Sequence, residues 1–280
     1  MHYKKAILPL VAFIVLLLGV FVWNEAILPF QIQKANQLIC QKNHEQLERY
    51  VKQNHFCVKS WPFLHSLFLA VTDSIPVQSP LATACMENDS ESVAILLRYG
   101  ADPNFVPVFQ TVGNYTPLCL AASRGNVQAM FLLLENGADV SAQGGHAIAA
   151  FLMHRSNSDA SGIQELQSVI ELLEQYGYSM PTTLGDNSPM VYAAIYGDID
   201  AMRLLLSGYS IDASARGYDG KTILHMYIKS GHHVASAENV KAILDMGTDA
   251  HIQDDAGKTA YDYAVAKGYE DIAQLLSNNR

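Results

Sequence analysis

The stretch Thr116–Ala142, TPLCLAASRGNVQAMFLLLENGADVSA, constrains the fold more than any other part of the chain. It reads as helix, tight turn, helix and extended loop. Thr116 supplies an N-cap, and Pro117 takes the first helical position, where its missing N–H costs nothing. Leu118, Ala121 and Ala122 form a narrow apolar stripe, small enough for helices to stack closely. Arg124-Gly125-Asn126 ends that helix, Val127 to Leu134 carry a second, and Gly137 suits a left-handed cap. A helix pair this short cannot bury its own apolar face, so it demands neighbours of the same kind.

The neighbours are present. Ser79-Pro80-Leu81 opens a copy that closes on Leu96–Asp102. Ser188-Pro189-Met190 opens another that closes on Leu204–Gly208. Gly220–His225 and Gly257–Ala260 open two more, closing on Ile243–Gly247 and on Ile272–Leu276. A degenerate copy runs from His146 to Gly177. The terminal glycines Gly100, Gly137, Gly177, Gly208 and Gly247 are about 31 to 40 residues apart. On these residues the chain resembles the ankyrin-repeat family, whose signature runs roughly G-x-T-P-L-H-x-A-A, then a leucine run and G-A-D. The resemblance implies an all-α ankyrin-repeat solenoid of about six helix-turn-helix repeats. Gln31–Phe56 keeps helical spacing on either side of Asn43 and reads as a divergent cap, while Ser60–Ile75 reads as one helix with a loop.

Met1–Phe30 is a different material. After Lys4-Lys5, the 18 positions Ala6–Trp23 carry no charge, and as a helix they span about 27 Å, close to a bilayer's apolar core. Trp23 suits the interface, and Asn24-Glu25 ends the run. A retained signal anchor fits best. Asn24-Glu25-Ala26 is a poor cleavage site, and no cysteine follows the run closely enough for a lipoprotein signal. Cleavage stays open as the alternative. The two lysines place the N-terminus in the cytoplasm, so in a bacterium this is a single-pass inner-membrane protein with periplasmic repeats. The expected organisation is residues 1–30 as signal anchor or transmembrane segment, 31–77 as divergent N-terminal capping region and 78–280 as ankyrin repeats.

Net charge is −9 and only 16% of residues are charged. That balance argues against nucleic acid, which draws a basic stripe, and favours basic partners. Two Gly-Lys-Thr triplets lack the earlier glycine of a phosphate loop, since Ala215 and Ile252 stand there. The zinc-protease, hydrolase-elbow and C-x-x-C motifs are absent, so no catalysis, cofactor, metal or small-molecule substrate is expected. His232-His233 lacks a third ligand at a supporting spacing and reads as exposed loop, as does the insertion Arg155–Gly162. His225 matches the signature histidine, and the resemblance makes it a structural hydrogen-bonding residue. Cys85 and Cys119 read as buried thiols, and Cys40 and Cys57 as a weak disulfide candidate.

The finger from Asp102 to Thr116 spans 14 residues against 10 in Asp212–Thr222 and Asp249–Thr259, and its surplus is apolar. Phe105, Val108, Phe109 and Tyr115 are therefore candidate protein-binding anchors, although packing on neighbouring fingers is the competing reading. Tyr192, Tyr196, Tyr218 and Tyr227 fall on the inner-helix and finger face, which the resemblance marks as the usual recognition surface. Anchored ankyrin proteins of this build resemble two groups. One comprises immunity proteins that neutralise toxic effectors, often lipases. The other comprises periplasmic proteins that support a stress enzyme such as catalase. A membrane-complex component is the third reading.

Overall fold

The computed structural model describes residues 28–54, 79–106, 115–141, 146–155, 160–185 and 188–278. The apolar run Ala6–Trp23, the segment Ser60–Ile75, Cys57, Val108 and Phe109 lie outside the described residues. Among the described residues there are fourteen α-helices and no strand, and no helix is long and apolar enough to cross a membrane. The chain forms two compact units, Met1–Ala121 with Gln128–Ala138, and Ala122–Val127 with Asp139–Arg280.

In the first unit α1 (Leu28–Cys40) and α2 (His44–Gln53) form a helix pair, followed by α3 (Pro80–Met86) and α4 (Ser90–Arg98). First helix lies on first helix and second on second, α1 against α3 and α2 against α4. The α1–α2 pair therefore stacks as a repeat does. Asn43 starts α2 by accepting the Gln46 N–H on its side-chain oxygen at 3.1 Å. His44 and Arg98 tie the pairs together, His44 to Asp89 at 2.9 Å and to Glu91 at 2.9 Å, Arg98 to Glu48 at 2.7 Å. The pair α5 (Pro117–Ser123) and α6 (Val127–Glu135) follows.

The second unit carries α7 (His146–His154), α8 (Ala160–Gln175), α9 (Pro189–Tyr196), α10 (Ile199–Gly208), α11 (Ile223–Lys229), α12 (Ala237–Asp245), α13 (Ala260–Lys267) and α14 (Glu270–Asn278). The row α7, α9, α11, α13 and the row α8, α10, α12, α14 each stack in order, with the two helices of every pair also in contact. The degenerate copy is thus a full helix pair. Part of its expected loop is helix, because α8 already begins at Ala160.

Alanines make this close stacking possible. Ala84, Ala121, Ala122, Ala193, Ala194 and Ala264 are fully buried, as are the second-helix leucines Leu96, Leu133 and Leu205. Four fingers open on the same turn, in which Asp102, Asp139, Asp212 and Asp249 each accept the N–H two residues on, at 2.8 to 2.9 Å. Two fingers are keyed to the next repeat. The side chains of Asn104 and Ser214 donate to the carbonyls of Gly137 and Gly247, at 2.8 and 3.2 Å. Gly137 and Gly247 are left-handed, at φ +87° and +95°, as helix-terminating glycines should be. Gly208 departs from that expectation: it is the last residue of α10, and Tyr209 caps the helix through its N–H to Leu205. Cys85 and Cys119 are buried free thiols, and burial pushes Cys85 up to about 12. Cys40 is a free thiol on the surface.

Leu133→Ala and Leu205→Ala each remove a side chain that has no solvent exposure. Each is expected to destabilise the array by roughly 2–5 kcal/mol, read from denaturant unfolding followed by helical circular dichroism. A loss under about half a kilocalorie would place these leucines outside the core.

Candidate protein-interaction face

The finger before α11 shows how a short loop can present a side chain rigidly. Gly217 N–H donates to the Lys221 carbonyl at 2.8 Å, closing the tip around a 3-10 turn at Tyr218–Gly220. Asp219 sits in the left-handed region at φ +55°. Its carbonyl accepts the Asp255 N–H from the next finger at 2.9 Å, and its carboxylate binds Lys221 Nζ at 2.6 Å. Arg216 reaches Asp255 Oδ1 at 2.7 Å. Tyr218 stands on this clamped turn with 69% of its surface exposed.

Beneath the tip lies the signature histidine. His225 is fully buried, and its Nδ1 accepts from the Thr222 N–H at 3.2 Å. That leaves Nε2 to donate to the Lys258 carbonyl of the next finger at 3.1 Å. Burial pushes the His225 pKa below the ordinary histidine value. From α13 the Tyr263 hydroxyl donates to Asp254 of that next finger at 2.6 Å, and with backbone N–H groups it holds that carboxyl down to about 2. Where Cys119 replaces the histidine, the Thr116 hydroxyl makes the bonds within the turn. Thr116 Oγ1 donates to the thiol at 3.3 Å and accepts the Cys119 N–H at 3.2 Å.

The candidate anchors divide between the two units. Phe105 and Tyr115 are half-buried in the first, on either side of residues 107–114, which lie outside the described residues along with Val108 and Phe109. Tyr192 is half-buried on α9 and Tyr218 exposed on its finger, both in the second unit. Tyr227 is not a surface residue. It is fully buried on α11, and its hydroxyl accepts the Ser236 N–H at 3.3 Å. A tyrosine on an inner helix alternates between face and core with the helical period, and Tyr227 takes the core side.

Two loop expectations also fail. Arg155 is buried, not a surface loop residue, with 5% of its side chain exposed and its guanidinium on Asp198 at 2.6 Å. Gly162 leaves room for it, since a Cβ there would stand 2.6 Å from Arg155 Nε. Asp198 in turn caps α10 through the Ala201 N–H at 3.0 Å. Burial raises its pKa and the facing Arg155 opposes the rise. His232 is exposed, but His233 is half-buried against the preceding repeat. The α9–α10 turn, the His232–Ser236 loop and helices α10 and α12 border a groove of about 590 Å³, with Asp200, Arg203, His233, Glu238 and Lys241 on its walls. Nothing in the sequence pattern points to this groove, because its walls come from two repeats and an insertion. Among the described residues no three His, Cys, Asp or Glu side chains are placed to hold a metal ion.

A family model for ankyrin repeats in three copies matches residues 49–144 and 190–280. A putative ankyrin repeat protein of Escherichia coli K12, YahD, is 25% identical over 194 residues, 69% of this chain and 92% of that protein. Other curated relatives, plant proteins named for CCCH zinc-finger domains, are much longer, and the chain spans 15% and 18% of their lengths. Among solved structures, the ankyrin repeat domain of human ASB11 superposes with a TM-score of 0.60 at 19% identity, over 88% of this chain and 97% of that one. A chain from the complex of the Bdellovibrio bacteriovorus predatory endopeptidase Bd0816 with immunity protein Bd3460 gives 0.53 at 20% identity, over 71% and 97%.

The buried pair Arg155–Asp198 generates an asymmetric expectation. Arg155→Ala strands a buried carboxylate and should cost roughly 3–5 kcal/mol in denaturant unfolding. Arg155→Met with Asp198→Asn keeps the helix cap without either charge and should recover most of that loss.

Proposed function

Because the chain belongs to the ankyrin-repeat family, we propose that it is a non-catalytic binding protein, held at the inner membrane by residues 6–23, that captures a protein partner in the periplasm. Ankyrin repeats mediate protein–protein interaction, and the exposed Tyr218 on its clamped finger is the observation that carries the reading here. A preformed stack meets a folded partner with little ordering cost, and an exposed aromatic on a rigid turn is the residue type that dominates binding energy. The net charge of −9 steers basic partners towards it.

The partner we favour is a toxic effector that the protein neutralises. The neighbour drawn from an endopeptidase–immunity complex supports that choice, as does the anchor, which keeps the repeats where incoming proteins first meet the membrane. A stress enzyme such as catalase is the alternative partner.

A periplasm-active reporter fused after Arg280 is expected to be active, and the protein to sediment with membranes; a soluble product with a new N-terminus near Ile27 would overturn the anchor. Loss of the gene is expected to sensitise cells to a toxin encoded beside it. Tyr218→Ala is expected to weaken binding of that toxin roughly 10- to 100-fold in titration calorimetry, with helical content unchanged. Peroxide sensitivity with undiminished fitness in competition would favour the stress enzyme.

A further inference from the structure

We propose that Ser230–Ser236, the loop joining α11 to α12, is an acid-released latch whose bolt is the His233 ring. The Ile195 carbonyl near the end of α9 accepts two bonds from this loop, one from the Ser230 hydroxyl and one from His233 Nδ1 at 3.1 Å. Donation from Nδ1 leaves Nε2 without a proton, and Nε2 is buried with no hydrogen-bond partner among the described residues. The ring packs on Tyr227, centroids 4.4 Å apart, and over Gly197, where a Cβ would come within 2.8 Å of it. His232 packs beside it on Tyr196 at 4.7 Å. A neutral imidazole fits this slot. An imidazolium does not, because its second N–H would find no acceptor among the described residues.

The surrounding charges do not rescue the protonated ring. From α13, Lys267 reaches over to donate to the Ser230 carbonyl at 2.8 Å, and it repels a positive charge on His233. His232 in the loop itself does the same. At the α9–α10 turn, Asp198 is already engaged by Arg155 and the Ala201 N–H. From α10 and α12, Asp200, Arg203, Glu238, Lys241 and Asp245 stand exposed on the groove walls, in water. The nearest faces of α9 and α11 offer the uncharged rings of Tyr196 and Tyr227.

Burial holds the latched histidine below its ordinary pKa. The released loop therefore binds the proton more tightly than the latched one. The latch is at full strength above the free histidine's value of about 6.5 and weakens as pH falls through it. His233 and the exposed Val234 both line the groove, so release reshapes that wall. The core residues of α11 and α12, among them Ile228, Val240 and Ile243, are fully buried, and on this reading the two helices stay stacked when the loop opens.

Amide hydrogen exchange on the full-length protein at about pH 7.5 and about pH 5, corrected for intrinsic rates, tests this. Protection of residues 230–236 is expected to fall about tenfold or more at the lower pH while α11 and α12 keep theirs. His233→Asn retains a side-chain N–H for Ile195 but cannot titrate, and its loop should be equally protected at both pH values. His232→Asn should behave as the wild type. The proposal is overturned if the wild-type loop is equally protected at both, or if His233→Asn loses protection just as the wild type does. An independent reading needs no variant: an imidazole NMR titration placing His233 at or above about 6.5 overturns it as well.

Discussion

No helix pair in this chain can hide its own apolar face, and that single shortage organises the molecule. Pairs as short as Pro80–Met86 with Ser90–Arg98 bury one side against each other and leave another open. The open side is closed only by a pair of the same pitch, which is why first helices meet first helices and second meet second. The alanines follow from the same need. A bulky residue at Ala121, Ala193 or Ala264 would hold neighbouring rows apart and forfeit the contacts that make a stack cohere.

The repeats were legible because their punctuation is local. Proline at the first helical position, glycine beyond the second helix and a leucine run between them are rules about a few neighbouring residues, and α3, α5 and α9 each begin on such a proline. Legibility fails where a residue's role is decided by another repeat. Arg155 looks like polar loop until Asp198, 43 residues away, is seen to hold it in the interior. His233 looks like surface until the Ile195 carbonyl is seen to claim it. Tyr227 belongs to the core although Tyr218, in the same repeat, stands in solvent. Gly208 carries the right residue for a helix stop, yet Tyr209 performs the stop, anchored by its hydroxyl to Glu174 at 2.7 Å.

The candidate interaction surface was legible in kind and only partly in place. Of the finger aromatics that pattern singles out, Tyr218 is exposed, whereas Phe105 and Tyr115 are half-buried. The groove between α10 and α12 could not be read that way. It depends on the insertion His232–Ser236 folding back over the preceding turn, and the partners of an insertion are not written in the repeat it interrupts.

The bonds from Asn104 to Gly137 and from Ser214 to Gly247 join residues 33 apart in both cases. In the first interval the surplus residues lie in the finger, and in the second they lie in the loop between the paired helices. The same rung closes regardless. Register is therefore measured through space, from one finger to the next, and the chain between is free to store its extra length at either of two positions in the repeat. Such a scaffold can alter what it shows to other molecules, on its finger edge or beside its second helices, while the spacing of its layers stays as it was.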